Sequence, residues 1–367
     1  MGEMFEKYPF EKLNELLKDI EPETEKRYIL TIGEPQFETP EFIQKSLCEN
    51  SKYLNKYPKT AGEDILKESM RGFVKRRYGI ELKPQELLPT FGTREVLFNF
   101  PLFLKPKKTA FPNPFYQIYE GAAIAAGSRI KYLPLTKENN FKNRLSQLDG
   151  DEDFIILNSP NNPTASVMSL DELCEWVEYA LEKNVIILSD ECYSELYFDE
   201  KPASMLEACV KVGNNSFKNI LVINSISKRS SAPGLRSGFI AGDGEILKNY
   251  LQFRTYVGCA SPLPLQLAAA KAWSEDEHVE VFRKEYKKNF EIAKETLGIE
   301  IPKATFYIWL EVDDDIEFTK KAWKKGVKVM PGRFMGRNGA GEGYVRIALV
   351  YSPQETIEAL KIIKELL

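Results

Sequence analysis

The sequence predicts an α/β protein with a mostly parallel central sheet covered by helices. Between residues 86 and 242, short apolar runs rich in β-branched residues alternate with longer amphipathic stretches, which is the pattern of consecutive βαβ units. The clearest strand candidates are 154–158, 185–190 and 220–224, each nearly continuous in apolar residues, as strands buried on both faces are. After about residue 261 long amphipathic helices predominate, which predicts a second, smaller α+β domain.

The other elements follow from capping and periodicity. Ser169 is a predicted N-cap, and Glu172 three residues later completes a capping box for a helix between the first two strands. Beyond residue 261 the pattern predicts further helices and strands, in the order helix 262–273, helix 277–296, strand 305–311, helix 315–325, strand 344–349 and a closing helix from Pro353.

The chain length supports about two domains. A single hydrophobic core seldom organises 367 residues, because domains hold about 100–200 residues each. We predict a large domain over 50–260 and a small domain made from 1–49 and 261–367, since the segment before residue 50 shows no strand pattern of its own.

Composition excludes several classes of protein. Hydrophobic residues at 43% and charged residues at 28% are typical of a globular enzyme and not of disordered or fibrous chains. The 50 basic and 54 acidic residues are interspersed, so neither nucleic acid nor an anionic membrane is an expected partner. There is no apolar run near the ~18 residues of a membrane span, and no signal-peptide core. The five cysteines form no C-x-x-C pair, which favours reduced thiols and the cytoplasm.

The only histidine, His278, stands in the charged run Ser-Glu-Asp-Glu-His. This context favours a solvated surface helix over a metal ligand or a catalytic base. His-dependent triads and zinc chemistry are therefore not expected, and no metal site is predicted.

Polar residues follow three of the strand candidates where each strand ends. Asn158 begins Asn-Ser-Pro-Asn-Asn-Pro-Thr, Asp190 begins Asp-Glu-Cys-Tyr, and the third strand leads into Ser225-Ile-Ser-Lys228, with Arg236 eight residues after the lysine. Because open α/β sheets bind ligands beyond the carboxyl ends of their strands, these residues point to one site.

The order and spacing of these segments resemble the class I and II aminotransferases, pyridoxal-phosphate enzymes of fold type I. That family carries N-x-P-x-N-P-T-G, then D-E-x-Y, then S-x-S-K with G-x-R-x-G shortly after. The resemblance runs from Gly33-Glu-Pro to Arg346, nearly the whole chain, and the joint match is specific although each piece alone is weak. It implies a large cofactor-binding domain with a mostly parallel sheet and a smaller α+β domain.

The resemblance gives Lys228 the covalent bond to pyridoxal phosphate and the proton transfer at the substrate Cα. Asp190 is implied beside the pyridine nitrogen, which it keeps protonated, while Tyr193 and Asn162 are implied as hydrogen-bond partners of the phenolic oxygen. Taken singly, these residues have plainer interpretations: a surface lysine, a turn or N-cap aspartate, and an Asn-Pro turn.

For the cofactor phosphate, the resemblance implies a turn that opens a helix with its amides facing the anion, two hydroxyl donors and one guanidinium. The residues are Gly92, Thr93 and Arg94 in the turn, Ser225 and Ser227, and Arg236. A plain helix start and a surface salt bridge are the competing interpretations.

Four further residues complete the expected site. Tyr116 is implied to stack on the pyridine ring, and Tyr57 to reach the phosphate of a neighbouring subunit, which implies a homodimer. Arg346 is implied to bind the substrate α-carboxylate, with Asn162 beside it, and Gly33 to lie in a loop that closes over the substrate. A strand arginine in a surface ion pair is the alternative for Arg346.

Two positions depart from the family pattern, since Ala165 and Ala304 replace glycines. Ala165 is strained if its backbone requires a positive φ. The segment from Lys228 to Gly238 is most similar to the succinyldiaminopimelate aminotransferases of lysine biosynthesis, with Ser231 where those have Asn. The implied reaction passes the amino group of glutamate to N-succinyl-2-amino-6-oxopimelate.

Other functions stay open at this stage. An aspartate or other amino acid aminotransferase, a C–S lyase or a decarboxylase can use the same cofactor site. A transcription regulator of this fold needs an added basic DNA-binding domain, for which the residues before Tyr57 are too few and too acidic. A nicotinamide enzyme is disfavoured because the glycine-rich segment 336–343 precedes a strand.

Overall fold

The computed structural model describes residues 5–367. Its strands are β1 (Tyr28–Ile29), β2 (Leu87–Thr90), β3 (Lys108–Asn113), β4 (Arg129–Pro134), β5 (Phe154–Asn158), β6 (Ile186–Asp190), β7 (Ile220–Ser225), β8 (Gly238–Gly242), β9 (Tyr307–Glu311), β10 (Val327–Lys328), β11 (Met330–Pro331) and β12 (Tyr344–Ala348). Its helices are α1 (Pro9–Leu17), α2 (Glu41–Asn50), α3 (Asp64–Tyr78), α4 (Thr93–Leu104), α5 (Ile118–Ala125), α6 (Leu170–Lys183), α7 (Met205–Lys211), α8 (Ile226–Arg229), α9 (Gly244–Val257), α10 (Leu263–Ser274), α11 (Glu277–Leu297), α12 (Asp315–Lys324) and α13 (Pro353–Lys364). Among these helices none combines the length and the apolar character needed to cross a membrane.

Seven strands form the large sheet in the order β2-β8-β7-β6-β5-β3-β4. The pairs from β7 to β4 are parallel, while β8 runs antiparallel to both β7 and β2. Alternate side chains enter two separate cores, with Ile155 and Leu157 on one face of the sheet and Phe154 and Ile156 on the other. The predicted α/β fold with a mostly parallel sheet is confirmed, and burial on both faces explains why its strands are almost wholly apolar.

Helix α6 begins where its capping box predicted. The Ser169 hydroxyl accepts a hydrogen bond from the Glu172 amide at 3.3 Å, and the Glu172 carboxylate accepts one from the Ser169 amide at 2.7 Å. These bonds satisfy two of the amide groups that a helix leaves free at its start.

A smaller unit packs beside the large sheet. Strands β11, β12 and β9 form an antiparallel sheet, and β1 pairs in parallel with β10, which joins the N-terminal segment to this unit. Helix α10, however, packs along α3, and its alanines belong to the core of the large sheet. We therefore propose a domain boundary after Ser274 instead of at residue 261. Of the segment 1–49 that we assigned to the small domain, residues 1–4 lie outside the described chain.

The backbone at Ala165 has a φ of 59°, in the left-handed region. This is the positive φ at which alanine is strained and glycine is not. The conformation therefore raises the free energy of the folded state by about 1–2 kcal/mol. The Ala165 amide donates to the Asn161 carbonyl at 3.0 Å, within the turn that carries Asn162.

The prediction for His278 is wrong. Its side chain is 8% exposed, because the first turn of α11 faces inward at this position. The ring meets Phe42 and Phe282 edge-on, and Nε2 lies 2.8 Å from the Ser230 hydroxyl. The charged neighbours in the sequence concealed this burial, because two of them, Glu275 and Asp276, bond the side chains of His278 and Arg229.

Candidate active site

A cavity of about 890 Å³ opens at the carboxyl ends of β5, β6 and β7 and extends to the small unit. Its position agrees with the rule for ligand sites in open α/β sheets. Most of the predicted site residues line it: Gly33, Thr93, Arg94, Tyr116, Asn162, Asp190, Tyr193, Ser225, Ser227, Lys228, Arg236 and Arg346. The cavity size is near the upper end for small-molecule sites, so it can hold a cofactor and a substrate together.

Asp190 ends β6 directly beside Asn158, its partner across the parallel pair. Its carboxylate accepts hydrogen bonds from the Tyr119 hydroxyl at 2.8 Å and from the Cys192 amide at 3.2 Å. Burial raises the pKa of Asp190, and these two donors act against that rise. Among the described residues no cation pairs with it, so a protonated ring nitrogen fits this position.

Lys228 lies in the short helix α8, which follows β7 without a break. Burial lowers the pKa of its amine to about 8, because the charged form loses hydration. The ammonium donates to the Gly33 carbonyl across the cavity and lies 5.6 Å from the centre of the Phe306 ring. A larger neutral fraction near pH 7 suits an amine that must attack a carbonyl group.

The turn after β2 meets Arg236. Gly92 has a φ of 75°, and a Cβ atom there would lie 2.3 Å from Arg236 Nη2, so both backbone conformation and space require glycine. The Ser225 hydroxyl donates to Ser227 at 2.9 Å on the same side of the cavity. Together with the first amides of α4, these groups form a cationic, donor-rich cradle that fits a phosphate.

Arg346 is buried and, among the described residues, has no carboxylate partner. It donates to Asn162 Oδ1 and to the Thr31 carbonyl, each at 2.6 Å, while its Nε has no hydrogen-bond partner. Its guanidinium lies 4.4 Å from the centre of the Tyr307 ring. A buried guanidinium with an unused donor is what a carboxylate ligand needs.

Tyr193 and Tyr307 face each other with their hydroxyls 3.0 Å apart. Burial raises the pKa of Tyr193 well above its ordinary value, so the phenol stays protonated and can donate to an anionic oxygen. Gly33 approaches the same tyrosine pair closely, since a Cβ on Gly33 would overlap the Tyr307 hydroxyl at 1.8 Å. Only glycine fits this approach of backbone to ring.

Tyr116 accepts two hydrogen bonds from Arg94, at 3.0 Å from Nε and 2.8 Å from Nη2. Its ring meets Tyr119 edge-on. The Arg94 side chain therefore points along the cavity wall, while its backbone belongs to the phosphate turn.

Two predicted site residues do not line the cavity. Gly92 lies behind it and supports Arg236. Tyr57 is fully exposed and contributes nothing to the cavity of its own chain.

Pyridoxal phosphate supplies an electron sink for the bond that breaks at the substrate Cα. We propose that Lys228 takes up the proton released from that Cα and returns it. Arg346 and Asn162 can hold the α-carboxylate, Tyr193 can donate to the phenolic oxygen, and the narrow approach of Gly33 can exclude water.

Sequence reasoning missed three residues of the site. Tyr119 bonds to Asp190, Tyr307 supports both Tyr193 and Arg346, and Cys192 packs against Thr93 with its sulfur 3.2 Å from the threonine hydroxyl. Tyr119 follows Tyr116 by three residues across the turn that opens α5, so the short spacing of the two tyrosines was a usable signal. Nothing in the local sequence indicated that Tyr307 crosses from the small unit.

Comparison with known proteins agrees with this geometry. The family model for aminotransferase class I and II matches residues 26–363. The LL-diaminopimelate aminotransferase of Natranaerobius thermophilus is 31% identical over 98% of this chain and 96% of that protein. The transaminase OxyQ of Streptomyces rimosus, which acts on 4-dedimethylamino-4-oxo-anhydrotetracycline by its name, is 32% identical over 90% of this chain and 91% of that protein.

Two solved structures show the same fold over the whole chain. The aminotransferase AspB of Helicobacter pylori superimposes with a TM-score of 0.95 at 48% identity, over 98% of each chain. An aminotransferase of Neisseria meningitidis does so with a TM-score of 0.94 at 38% identity, over 100% of each chain.

Proposed function

The chain belongs to the pyridoxal-phosphate-dependent class I and II aminotransferases, and on that premise we propose that it moves an amino group between glutamate and N-succinyl-2-amino-6-oxopimelate. The products are 2-oxoglutarate and N-succinyl-LL-2,6-diaminopimelate. The observation that carries the proposal is the charge pattern of the cavity wall beyond Arg346.

Arg94 is the cation available for a second carboxylate. Among the described residues it forms no ion pair, and its hydrogen bonds go only to the Tyr116 hydroxyl. Three arginines of the cavity thus lack carboxylate partners, and the cofactor phosphate with the two carboxylates of glutamate makes three anionic groups, while the succinyl group of the longer substrate adds a fourth. We pair Arg236 with phosphate, Arg346 with the α-carboxylate and Arg94 with the distal carboxylate shared by glutamate and the longer substrate.

The acidic residues of the lining are both engaged. Glu95 is bound by Arg254 at 2.9 Å, and Asp190 lies beneath the expected ring nitrogen. Neither carboxylate of the described lining is therefore free to receive a distal ammonium group, and the nearby Glu34, whose charge acts on Lys228, lies outside that lining. This favours a substrate whose second nitrogen is acylated, because an unpaired ammonium in the cavity is costly.

Free LL-diaminopimelate is the second candidate, and the names of several relatives favour it, among them the Natranaerobius protein and one from Aquifex aeolicus that is 32% identical. The two substrates differ by one succinyl group, which replaces a cation with an anion. The test is to compare kcat/KM for N-succinyl-LL-2,6-diaminopimelate, LL-2,6-diaminopimelate and aspartate with 2-oxoglutarate as acceptor. Higher efficiency with either of the last two would reject the succinyl substrate, and release of ammonia with C–S cleavage would indicate a lyase.

Arg94→Gln should lower kcat/KM for glutamate by roughly 10- to 100-fold, because a charge-assisted hydrogen bond is worth about 1.5–3 kcal/mol. The value for alanine, which has no distal carboxylate, should change by less than about 3-fold. Tyr116→Phe is the matched control, since it removes the hydroxyl that Arg94 bonds and leaves the guanidinium in place. Equal losses with glutamate and alanine would contradict the role of Arg94.

We also propose that the enzyme acts as a homodimer with Tyr57 facing the partner's cavity. Leu54, Tyr57 and Tyr256 are strongly exposed, and Arg254 donates to the Thr60 carbonyl at 3.3 Å, so the chain just after Tyr57 contacts α9. Large apolar side chains left exposed in this way are available for an interaction surface.

The dimer is tested by subunit complementation. Tyr57→Phe should weaken cofactor binding by roughly 10-fold through loss of one hydrogen bond to an anion. When Tyr57→Phe chains are mixed with inactive Lys228→Ala chains, a heterodimer gains one site with both native residues. Activity at limiting cofactor should therefore rise above that of either variant. No rise on mixing, or a monomer by ultracentrifugation, would contradict the contribution in trans.

A further inference from the structure

His278 lies directly behind the segment that carries Lys228. Its Nδ1 bonds the Glu275 carboxylate, and its Nε2 lies 2.8 Å from the hydroxyl of Ser230, two residues after the lysine. Ser230 is fully buried, and its amide donates to the Ile226 carbonyl at 2.9 Å, closing α8. The chain Glu275–His278–Ser230 thus connects the start of α11 to the end of α8, the helix that carries Lys228.

The segment 228–231 is held mainly by side-chain contacts. Arg229 is fully buried, with Nη1 donating to the Ala272 carbonyl at 2.7 Å and Nη2 to Asp276 at 2.5 Å. Ser231 has a φ of 45°, and its hydroxyl donates to the Phe37 carbonyl. A non-glycine residue in this region persists only where the surroundings fix it. The contact between Ser230 and His278 adds to the bonds of Arg229 and Ser231 that fix this segment.

Proton accounting gives the His278 imidazole a neutral form. In that form Nδ1–H would donate to Glu275, and Nε2 would accept the Ser230 hydroxyl proton, an assignment that both contacts fit. The Ser230 oxygen is in turn approached by Arg229 Nη1 at 3.5 Å. If Nε2 is protonated, it competes with Arg229 for that oxygen, and the described residues offer the hydroxyl proton no second acceptor.

Burial favours the same neutral form. It lowers the pKa of His278, as does the Arg229 guanidinium, while the bond to Glu275 and the charge of Asp276 act in the opposite direction. Asp276, from the turn after α10, is already paired with Arg229 and Arg76. From the other elements, α2 presents the Phe42 ring and α11 itself the Phe282 ring, and neither ring carries a charge or a titratable group.

We propose that His278 is a positioning residue for Lys228, and that its neutral imidazole fixes Ser230 so that the lysine amine keeps its direction into the cavity. As the pH falls through the pKa of His278, the Ser230 contact loses its acceptor and the segment 228–231 loosens. The contribution to turnover is therefore present above that pKa and is lost below it. The inference concerns the lysine common to every substrate and does not depend on the identity of the second substrate.

Because His278 is the only histidine of the sequence, NMR of the untagged protein reports its titration without assignment. Its imidazole C–H resonances should be followed from about pH 5 to about pH 9 in the apoprotein and the holoenzyme. The wild-type pKa should lie below the ordinary 6.5, and Ser230→Ala should move it back toward that value. Ser274→Ala, an exposed serine on the adjacent helix α10, is the matched control and should leave the pKa unchanged. A wild-type pKa at or above 6.5, or no change in Ser230→Ala, would overturn the proposal.

Two substitutions at position 278 separate positioning from packing. His278→Leu keeps the volume without an acceptor and should lower kcat by roughly 10- to 100-fold with little change in KM. It should also shift the pH midpoint of the cofactor absorbance. His278→Gln places an amide oxygen near Ser230, so kcat should recover to within about 3-fold of wild type and its fall at low pH should disappear. Equal losses in both variants would overturn the proposal, and the NMR titration decides it if His278→Leu does not fold.

Discussion

Lys228→Ala should lose covalent attachment of the cofactor and at least about 10⁴-fold of kcat, because one side chain supplies both the nucleophilic amine and the proton carrier. No other lysine lines the cavity in the described chain, so no second amine can take its place. Mass spectrometry after borohydride reduction should find the pyridoxyl group on the peptide of Lys228 in wild type and on no peptide of the variant.

Lys228→Arg is the matched control for this experiment. It preserves the positive charge and most of the length but provides no amine that can form a bond to carbon. It should bind the cofactor without attachment and be as inactive as the alanine variant. A pyridoxyl adduct on a different residue, in either variant or in wild type, would remove the basis for the site as described.

Asp190→Asn should lower kcat by roughly 10²- to 10³-fold, the range found when one electrostatic partner of a reacting group is removed. The amide has the shape of the carboxylate and can still accept from Tyr119, but it carries no charge to hold the ring nitrogen protonated. Absorbance of the bound cofactor and single-turnover rates with glutamate are the measurements. A variant with wild-type kcat would show that Asp190 does not face the ring nitrogen.

Tyr119→Phe is the control for Asp190, since it removes the hydrogen bond at 2.8 Å and keeps the carboxylate. It should lower kcat by no more than about 10-fold.

The pH dependence of apoprotein stability gives a second test of Asp190. Burial raises the pKa of Asp190, so the folded apoprotein retains this proton to higher pH than the unfolded chain does. Its contribution to apoprotein stability falls as the pH rises from 3.8 through the raised pKa, and Asp190→Asn removes this slope.

Much of the large sheet could be predicted from local sequence. Strands β5 and β7 are fully buried and β6 is buried after Ile186, so their apolar runs are continuous, and helix α6 begins at a capping box with both of its hydrogen bonds. Because parallel strands end at one edge, the polar residues Asn158 and Asp190 were expected to adjoin, and they do. These features depend on short-range periodicity and on the topology of βαβ units.

The features that could not be predicted from sequence depend on contacts between residues far apart in the chain. His278 is buried by a loop nearly fifty residues earlier, and its charged neighbours gave the opposite signal. The packing of α10 against α3 placed a helix with the large sheet although its position in the chain suggested the small unit. The direction of the Arg94 side chain depends on Tyr116 and was invisible in the motif that contains it. Such facts depend on tertiary context, which overrides local pattern.

The pairing of β2 with β8 brings Gly92 to Arg236, and it closes a loop of roughly 150 residues. Neither half of this anion cradle exists as a local structure, so a partly folded chain has little affinity for phosphate. The cofactor therefore binds molecules in which the whole sheet has formed. By mass action, this binding stabilises the native state relative to partly folded states. We therefore expect the protein with bound cofactor to resist proteases for longer than the apoprotein, because it unfolds less often.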